Sequence, residues 1–100
     1  MSTAIDISQL ISRDPKIRDG RPCIAGTGVS IMRIAGYHKI GISPEEIADE
    51  YEHLSLAQVY AALAYYHANE DEIELDLRTE SELAEELAKQ HRRERTDKGL

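Results

Sequence analysis

The sequence predicts a mainly α-helical fold, made of a small N-terminal β hairpin, a three-helix helix-turn-helix and a long C-terminal helix. Two consecutive segments in the middle of the chain each begin with a helix-capping signal and are separated by a short turn. The window 45–98 contains neither glycine nor proline, which predicts that it is almost entirely helical. The turn-forming residues precede it, among short apolar segments that favour strands.

The β structure is expected in the N-terminal third. Residues 4–11 alternate partially between apolar and polar side chains, which is typical of an edge strand. The segments Cys23-Ile24 and 29–31 are typical of two short strands, joined by a turn at 25–28 whose glycines permit positive φ angles. These two segments form the predicted hairpin.

A first helix is expected over residues 31–39. Gly41 follows it, and a glycine at this place commonly adopts the left-handed conformation that ends a helix. The helical spacing of the apolar and histidine side chains predicts a single buried face formed by Ile31, Ile34, Ala35 and His38.

Two capping boxes define the helices of the central motif. Ser43, with Glu46 three residues later, predicts a helix over residues 44–51. Ser55, with Gln58 three residues later, predicts a second and longer helix that begins at the next residue. The buried stripe of this second helix is expected to consist of Leu56, Val59, Leu63 and Tyr66.

The last predicted helix begins at Glu70. Asn69 and Glu72 offer a further capping box for it, and its acidic start and basic end suit the helix dipole. The apolar seam is interrupted at residues 78–81, so the sequence leaves open whether the helix is continuous there.

The chain therefore divides into a hairpin and helix-turn-helix domain, residues 1–69, and a C-terminal amphipathic helix, residues 70–100. Apolar side chains in the second part are too sparse to anchor it strongly in a small domain, which favours binding in a groove of another protein. A helix that packs within its own chain or forms a dimer is the equally weighted alternative. The predicted partner-binding residues are Ile73, Leu77, Leu83, Ala84 and Leu87.

The net charge of −7 is distributed unevenly along the chain. Residues 1–39 carry six Lys or Arg against three acids, whereas residues 40–77 carry ten acids and neither Lys nor Arg. Affinity for DNA depends largely on cations that meet phosphates, so any phosphate contacts must come from the first third, from two chains at once. The predicted phosphate-binding residues are Arg13, Lys16, Arg18, Arg21 and Arg33.

Base recognition would fall to the second helix of the central motif, whose N-terminal end would enter the major groove. Gln58 can bond to adenine, and Ala61 can contact a thymine methyl group. The alternative is that this alanine-rich face packs against a partner chain. The positions expected to be exposed there are Ser55, Ala57, Gln58, Ala61 and Tyr65, and all but Ala57 are base-edge candidates.

Composition indicates a soluble cytoplasmic protein. No apolar run approaches the roughly 20 residues of a membrane helix, and the N-terminus lacks the features of a signal peptide. The single cysteine, Cys23, cannot form an internal disulfide and fits a reducing compartment as a small core residue. The core of so short a chain is modest, which predicts a homodimer or a higher homo-oligomer.

Four motifs within residues 11–77 point to a known family: Gly20-x-Pro22, the Gly26-Thr27 turn, Gly41-x-Ser43-x-Glu45-Glu46-Ile47 and Ala62-Leu63-x-Tyr65-Tyr66. By these motifs the chain resembles the domain-of-unknown-function 433 family of small prokaryotic proteins. The resemblance implies a winged or homeodomain-like helix-turn-helix and a VapB-like antitoxin whose C-terminal segment grips a PIN-like ribonuclease toxin. The chain departs from the family pattern at the hairpin tip, where Gly28 and Ser30 replace the usual arginine and proline.

No set of catalytic residues is recognisable, and we expect neither enzyme activity nor a cofactor. Residues 26–28 are glycine-rich but lack the spacing of a phosphate-binding loop. The four histidines are too far apart in sequence to form a metal site on one helix. The prediction is a non-enzymatic, antitoxin-like regulator that binds DNA as a dimer, and the alternative is a protein interaction or oligomerisation module without DNA binding.

Overall fold

The computed structural model describes the backbone of residues 4–99 and the side chains of residues 4–92. It confirms a mainly α fold with a two-stranded N-terminal hairpin and a long C-terminal helix. The elements in chain order are a 3₁₀ turn (Ile7–Leu10), β1 (Ile11–Ser12), a second 3₁₀ turn (Arg18–Gly20), β2 (Cys23–Ile24), α1 (Ile31–Lys39), α2 (Pro44–Glu50), α3 (Leu56–Ala68) and α4 (Glu70–Gly99).

The hairpin pairs β1 with β2 rather than the two segments that the sequence suggested. The strands are antiparallel, with Ile11 opposite Ile24 and Ser12 opposite Cys23. Half of the predicted edge strand is instead a 3₁₀ turn, because the Asp6 carboxylate accepts the N–H of Ser8 at 3.0 Å and caps that turn.

The predicted second strand, residues 29–31, is reduced to a single bridge between Ser30 and Cys23. The adjacent hydrogen bond, from the N–H of Ile24 to the carbonyl of Val29, is 2.9 Å long. Ser30 is also the N-cap of α1, so the helix begins where the strand would have continued.

The helix starts follow the capping signals. The Ser55 hydroxyl accepts the N–H of Gln58 at 3.1 Å, and the Gln58 amide oxygen accepts the N–H of Ser55 at 2.6 Å, so this box is complete. Ser43 likewise caps α2, but the Glu46 carboxylate accepts the Ser43 hydroxyl at 3.0 Å rather than a backbone N–H. The φ angle of 90° at Gly41 is the left-handed conformation predicted after α1.

The core lies mainly between α1 and α3, with β2, α2 and the start of α4 closing it. Along α3 the buried stripe contains Val59, Leu63 and Tyr66 as predicted, and Ala62 in addition. Leu56 was wrongly included, because at the first helical position it is 40% exposed. The largest fully buried side chains are Ile24, Ile31, Ile34, Ile47, Ile73, Val59 and Pro22.

Helix α4 is continuous through residues 78–81, the place that the sequence left open. The Thr79 hydroxyl donates to the carbonyl of Leu75 at 2.9 Å within the helix, so it does not cap a new one. The predicted box at the start of α4 is absent. The Asn69 side chain donates instead to the carbonyl of Tyr65 at 3.0 Å, and Glu72 bonds to other elements.

Two parts of α4 differ in their surroundings. We call residues 70–80 the docked segment, because Ile73 within it is fully buried in the core. We call residues 81–92 the projecting segment, because every residue in it is exposed. The projection contributes to a molecule 70 Å long and only 28 by 23 Å across. Among the described helices, none combines the length and apolar character that crossing a membrane requires.

Candidate functional site

The face of α3 expected to meet DNA is partly covered by the N-terminal segment. Ile5, Ile7 and Leu10 line a groove of about 850 Å³ together with Ala61 and neighbouring small side chains of α3. Ala61 is only 5% exposed, so the prediction that it is accessible early on the helix is wrong. The cause is the 3₁₀ turn, which packs against α3.

The polar base-edge candidates are engaged to different degrees. Ser55 and Gln58 bond to each other in the capping box, although Ser55 itself is exposed. Tyr65 is half-buried, its hydroxyl accepting from Arg13 at 2.6 Å and donating to Glu72 at 3.2 Å. The Tyr65 hydroxyl therefore links α3 to Arg13, which follows β1, and to Glu72 of α4, so it is not a free surface group.

Two of the five predicted phosphate contacts form ion pairs with α4. Arg13 pairs with Glu72, and Arg21 pairs with Glu80 at 3.2 Å and with Asp76 at 3.8 Å. The three acids recur at intervals of four residues and so share one face of the helix. Burial raises the pKa of Asp76, and the nearby Arg21 guanidinium opposes that shift. This acidic stripe of the docked segment neutralises part of the N-terminal positive charge.

A basic cleft of about 370 Å³ collects three of the predicted phosphate contacts. Arg18 and Arg21 line it from the segment before β2, and Arg33 lines it from the first turn of α1. The Nε of Arg18 donates to the carbonyl of Gly28 at 3.0 Å. The Arg18 guanidinium therefore lies beside the turn at residues 25–28, which contains no basic residue. Lys16 is exposed and lies outside this cleft.

Sequence reasoning missed Tyr51 and His53, which the turn between α2 and α3 brings to the same cleft. The Tyr51 ring packs edge-on against Tyr37 of α1, with ring centroids 6.3 Å apart. No local signal in the sequence relates this turn to Arg33, because the two meet only once α1 packs beside α2.

A second polar cluster ties the docked segment to the body of the protein. The Tyr66 hydroxyl donates to one oxygen of Glu74 at 2.6 Å, and Lys39 donates to the other at 2.6 Å. The hydrogen bond to Glu74 and the burial of the ring raise the pKa of Tyr66 to about 12. The same two bonds, with that from Lys39 the stronger cause, lower the pKa of Glu74.

The predicted partner-binding residues fall into two groups. Ile73 is fully buried and Leu77 is half-buried, with a methyl carbon of Leu77 facing Gly36 of α1. Both belong to the protein's own packing, so their assignment to a partner was wrong. Leu83, Ala84 and Leu87 are exposed on the projecting segment, and each of the two leucines is 54% exposed.

Two further chemistry-bearing features lie in the described part of the chain, a cysteine and a pair of histidine rings. Cys23 is buried, and burial raises the pKa of its thiol. The rings of His38 and His67 lie 5.4 Å apart, a proximity between α1 and α3 that their sequence separation concealed. Among the described side chains, no group of three or more His, Cys, Asp or Glu residues is placed to hold a metal ion.

The family model for DUF433, described as a protein of unknown function, matches residues 11–66. This chain belongs to the DUF433 family. A search of curated proteins finds no match.

One solved structure, a DUF433 member protein from Anabaena variabilis ATCC 29413, is similar in fold. The TM-score is 0.67 at 22% sequence identity, over 72% of this chain and 71% of the other. The family match ends within α3, so the docked and projecting segments of α4 lie beyond it.

Proposed function

We propose that this DUF433 protein is an antitoxin-like regulator that binds a partner protein through the projecting segment of α4. The proposed partner is a PIN-like ribonuclease toxin, and a cytoplasmic location belongs to the same proposal. The observation that carries it is the pair Leu83 and Leu87, one helical turn apart and each 54% exposed on a helix that leaves the body of the protein. Exposed apolar side chains at helical spacing are typical of a helix that docks into a groove.

The charge of the projecting segment supports the same class of partner. Glu82, Glu85 and Glu86 precede Lys89 and Arg92, so the part nearer the body is acidic. A ribonuclease needs a basic channel for its substrate, and an acidic helix can cover such a channel by complementing its charge.

The experiment looks for a PIN-like ribonuclease reading frame adjacent to this gene, and then measures inhibition of its product by the wild-type chain and by the double variant Leu83→Asp and Leu87→Asp. We expect the double variant to lose inhibition by about 100-fold or more, because two central apolar anchors typically contribute about 2 kcal/mol each. Leu75→Asp is the matched control, since Leu75 is on the same helix and is also 54% exposed, but in the docked segment.

The proposal is wrong if the double variant inhibits as well as the wild type. Equal loss in the Leu75→Asp control would likewise contradict it, because the effect would then follow from added charge anywhere on α4. Circular dichroism of each variant shows whether the helix is retained.

Autoregulatory DNA binding as a dimer is the second part of the proposal, and its support is the convergence of Arg18, Arg21 and Arg33 on one side of the protein. The burial of Ala61 and the bonds of Tyr65 favour the alternative, an interaction or oligomerisation module without DNA binding. Titration of the protein's own promoter with Arg21→Ala and Arg33→Ala, at several salt concentrations, separates the two. Unchanged affinity and salt dependence in both variants would remove these residues from any DNA interface.

A further inference from the structure

We propose that the basic cleft binds a terminal phosphate or pyrophosphate group of a small anion, such as a nucleotide. The cleft is bordered by the loop before β2, the hairpin tip, the first turn of α1 and the turn between α2 and α3. Its volume of about 370 Å³ is near the lower end of the range for small-molecule sites, roughly 300 to 1,000 Å³. This inference does not depend on partner binding by α4.

The charge of the cleft is opposite to that of the chain as a whole. The protein carries a net charge of −7, yet three arginines line one concave site. Glu80 supplies the single carboxylate among the described residues that line it, and His53 adds a further titratable nitrogen. A concavity lined by one sign of charge concentrates counter-ions of the other sign.

Two of these arginines have unused hydrogen-bond donors. Arg18 donates through Nε to Gly28, and its terminal nitrogens donate to no other group among the described residues. The guanidinium of Arg33 is exposed and has no hydrogen bond or ion pair among residues 4–92. Guanidinium groups bind phosphate oxygens through paired, charge-assisted hydrogen bonds, so the available donors suit this ligand class.

The first turn of α1 adds a second source of positive potential. Ser30 and Met32 line the cleft, and Ser30 is the N-cap of that helix. Within the described part of the chain, the N–H of Met32 donates to no backbone or side-chain acceptor. Unsatisfied amides and the dipole at a helix start both favour an anion beside them.

The backbone that presents Arg18 is strained. Arg18 and Asp19 have φ angles of 51° and 56°, in the left-handed region that side chains other than glycine seldom adopt. Residues in such conformations cluster at ligand sites.

A terminal phosphate fits this site better than a nucleic-acid backbone does. A terminal phosphate carries up to two negative charges and three oxygens that can meet donors from several sides. A phosphodiester carries one charge and continues into a sugar at both ends, so it requires an open groove rather than a concave site in which Glu80 pairs with one of the arginines.

The test is calorimetric titration of the full-length protein with pyrophosphate, and separately with a nucleoside monophosphate, in phosphate-free buffer. We expect saturable binding that Arg33→Gln weakens about tenfold, which corresponds to the loss of roughly one charge-assisted hydrogen bond. Lys16→Gln is the matched control, because it removes the same charge from an exposed position outside the cleft and should leave affinity unchanged. Glu80→Gln should strengthen binding several-fold, because it removes the nearer of the two carboxylates that pair with Arg21.

Three results would overturn the proposal. The first is the absence of saturable binding to both probes. The second is equal weakening of binding by Arg33→Gln and Lys16→Gln. The third is that duplex DNA without terminal phosphate groups competes for the cleft as effectively as pyrophosphate does. The last result would assign the cleft to the nucleic-acid backbone instead. Pyrophosphate binding without any DNA binding would support the proposal while removing DNA recognition from the proposed function.

Discussion

The docked and projecting segments belong to one uninterrupted helix, yet they have different surroundings. In the docked segment, Ile73 is buried in the core, Glu74 bonds to Tyr66 and Lys39, and acids on one face pair with arginines. In the projecting segment every side chain is exposed. Both segments are helical, so helix formation does not explain the difference in burial. A segment of this helix packs against the protein only where other elements present side chains that it can contact.

The largest expected effect comes from the core residue of the docked segment. Ile73→Ala should destabilise the protein by about 2–4 kcal/mol, because it removes a fully buried side chain and leaves a cavity. Urea denaturation followed by circular dichroism measures the loss. Leu87→Ala on the projecting segment is the control and should stay within about 0.5 kcal/mol of the wild type. Equal effects of the two substitutions would contradict the distinction between the segments.

The next effect concerns the bond between Tyr66 and Glu74. Tyr66→Phe should cost about 1.5 kcal/mol, because it removes a hydrogen bond from a buried hydroxyl to a charged carboxylate. Tyr60→Phe is the control, since Tyr60 is 49% exposed and should change stability little. Denaturation at neutral pH gives both values, and a Tyr66→Phe variant as stable as Tyr60→Phe would show that this bond contributes nothing.

The ionisation of Tyr66 gives a further prediction, at alkaline pH. The pKa of Tyr66 in the folded protein, about 12, lies above the ordinary value for tyrosine. Its contribution to the free energy of unfolding is therefore fully present below the pKa of the unfolded state, and it is lost as pH rises through the pKa of the folded state. Absorbance titration should show one tyrosine ionising near pH 12, and that phase should be missing from Tyr66→Phe. Its persistence in the variant would assign the phase to another tyrosine.

A smaller effect, of opposite sign, is expected at the contact between α1 and the docked segment. Gly36 lies within α1, and an added Cβ would be 3.7 Å from a methyl carbon of Leu77, an ordinary packing distance. Gly36→Ala should therefore stabilise the protein by about 0.5–1 kcal/mol through its better helix propensity. Gly41→Ala provides the contrast, because the φ angle of 90° there should make the same change destabilising. Thermal denaturation of both variants checks the two signs.

The last prediction concerns acid. The hydrogen bonds from Lys39 and Tyr66 lower the pKa of Glu74 in the folded protein. The ionised carboxylate therefore contributes to the free energy of unfolding above the pKa of the unfolded state, and this contribution is lost as pH falls through the pKa of the folded state. Glu74→Gln should therefore be less stable than the wild type at neutral pH, and the difference should narrow as the solution is acidified. Denaturation curves at several pH values between neutral and acid measure it, and a constant difference would exclude this ionisation as the cause.

The features that the sequence predicted well are local. The box formed by Ser55 and Gln58, and the helix end at Gly41, each depend on residues a few positions apart. Their geometry follows from backbone hydrogen bonds and allowed φ angles, which any chain with these residues shares.

The features that it missed depend on distant pairs. Arg13 meets Glu72 across 59 positions, and the N-terminal 3₁₀ turn covers Ala61 on α3. Periodicity identifies which face of a helix is apolar but not which element will cover it, so Ala61 was expected in solvent and Ile73 on a partner. The basic cleft was likewise visible only as separate arginines, without Tyr51 and His53.

The continuity of α4 fixes the direction in which its distal face points. An α-helix turns by about 100° and advances about 1.5 Å per residue, so the azimuth and reach of Leu83 and Leu87 are set by the number of residues after Ile73. Inserting one alanine after Glu80 would rotate both leucines by about 100° around the helix axis. Inserting seven would return them nearly to their original azimuth and move them outward along the axis by about 10 Å.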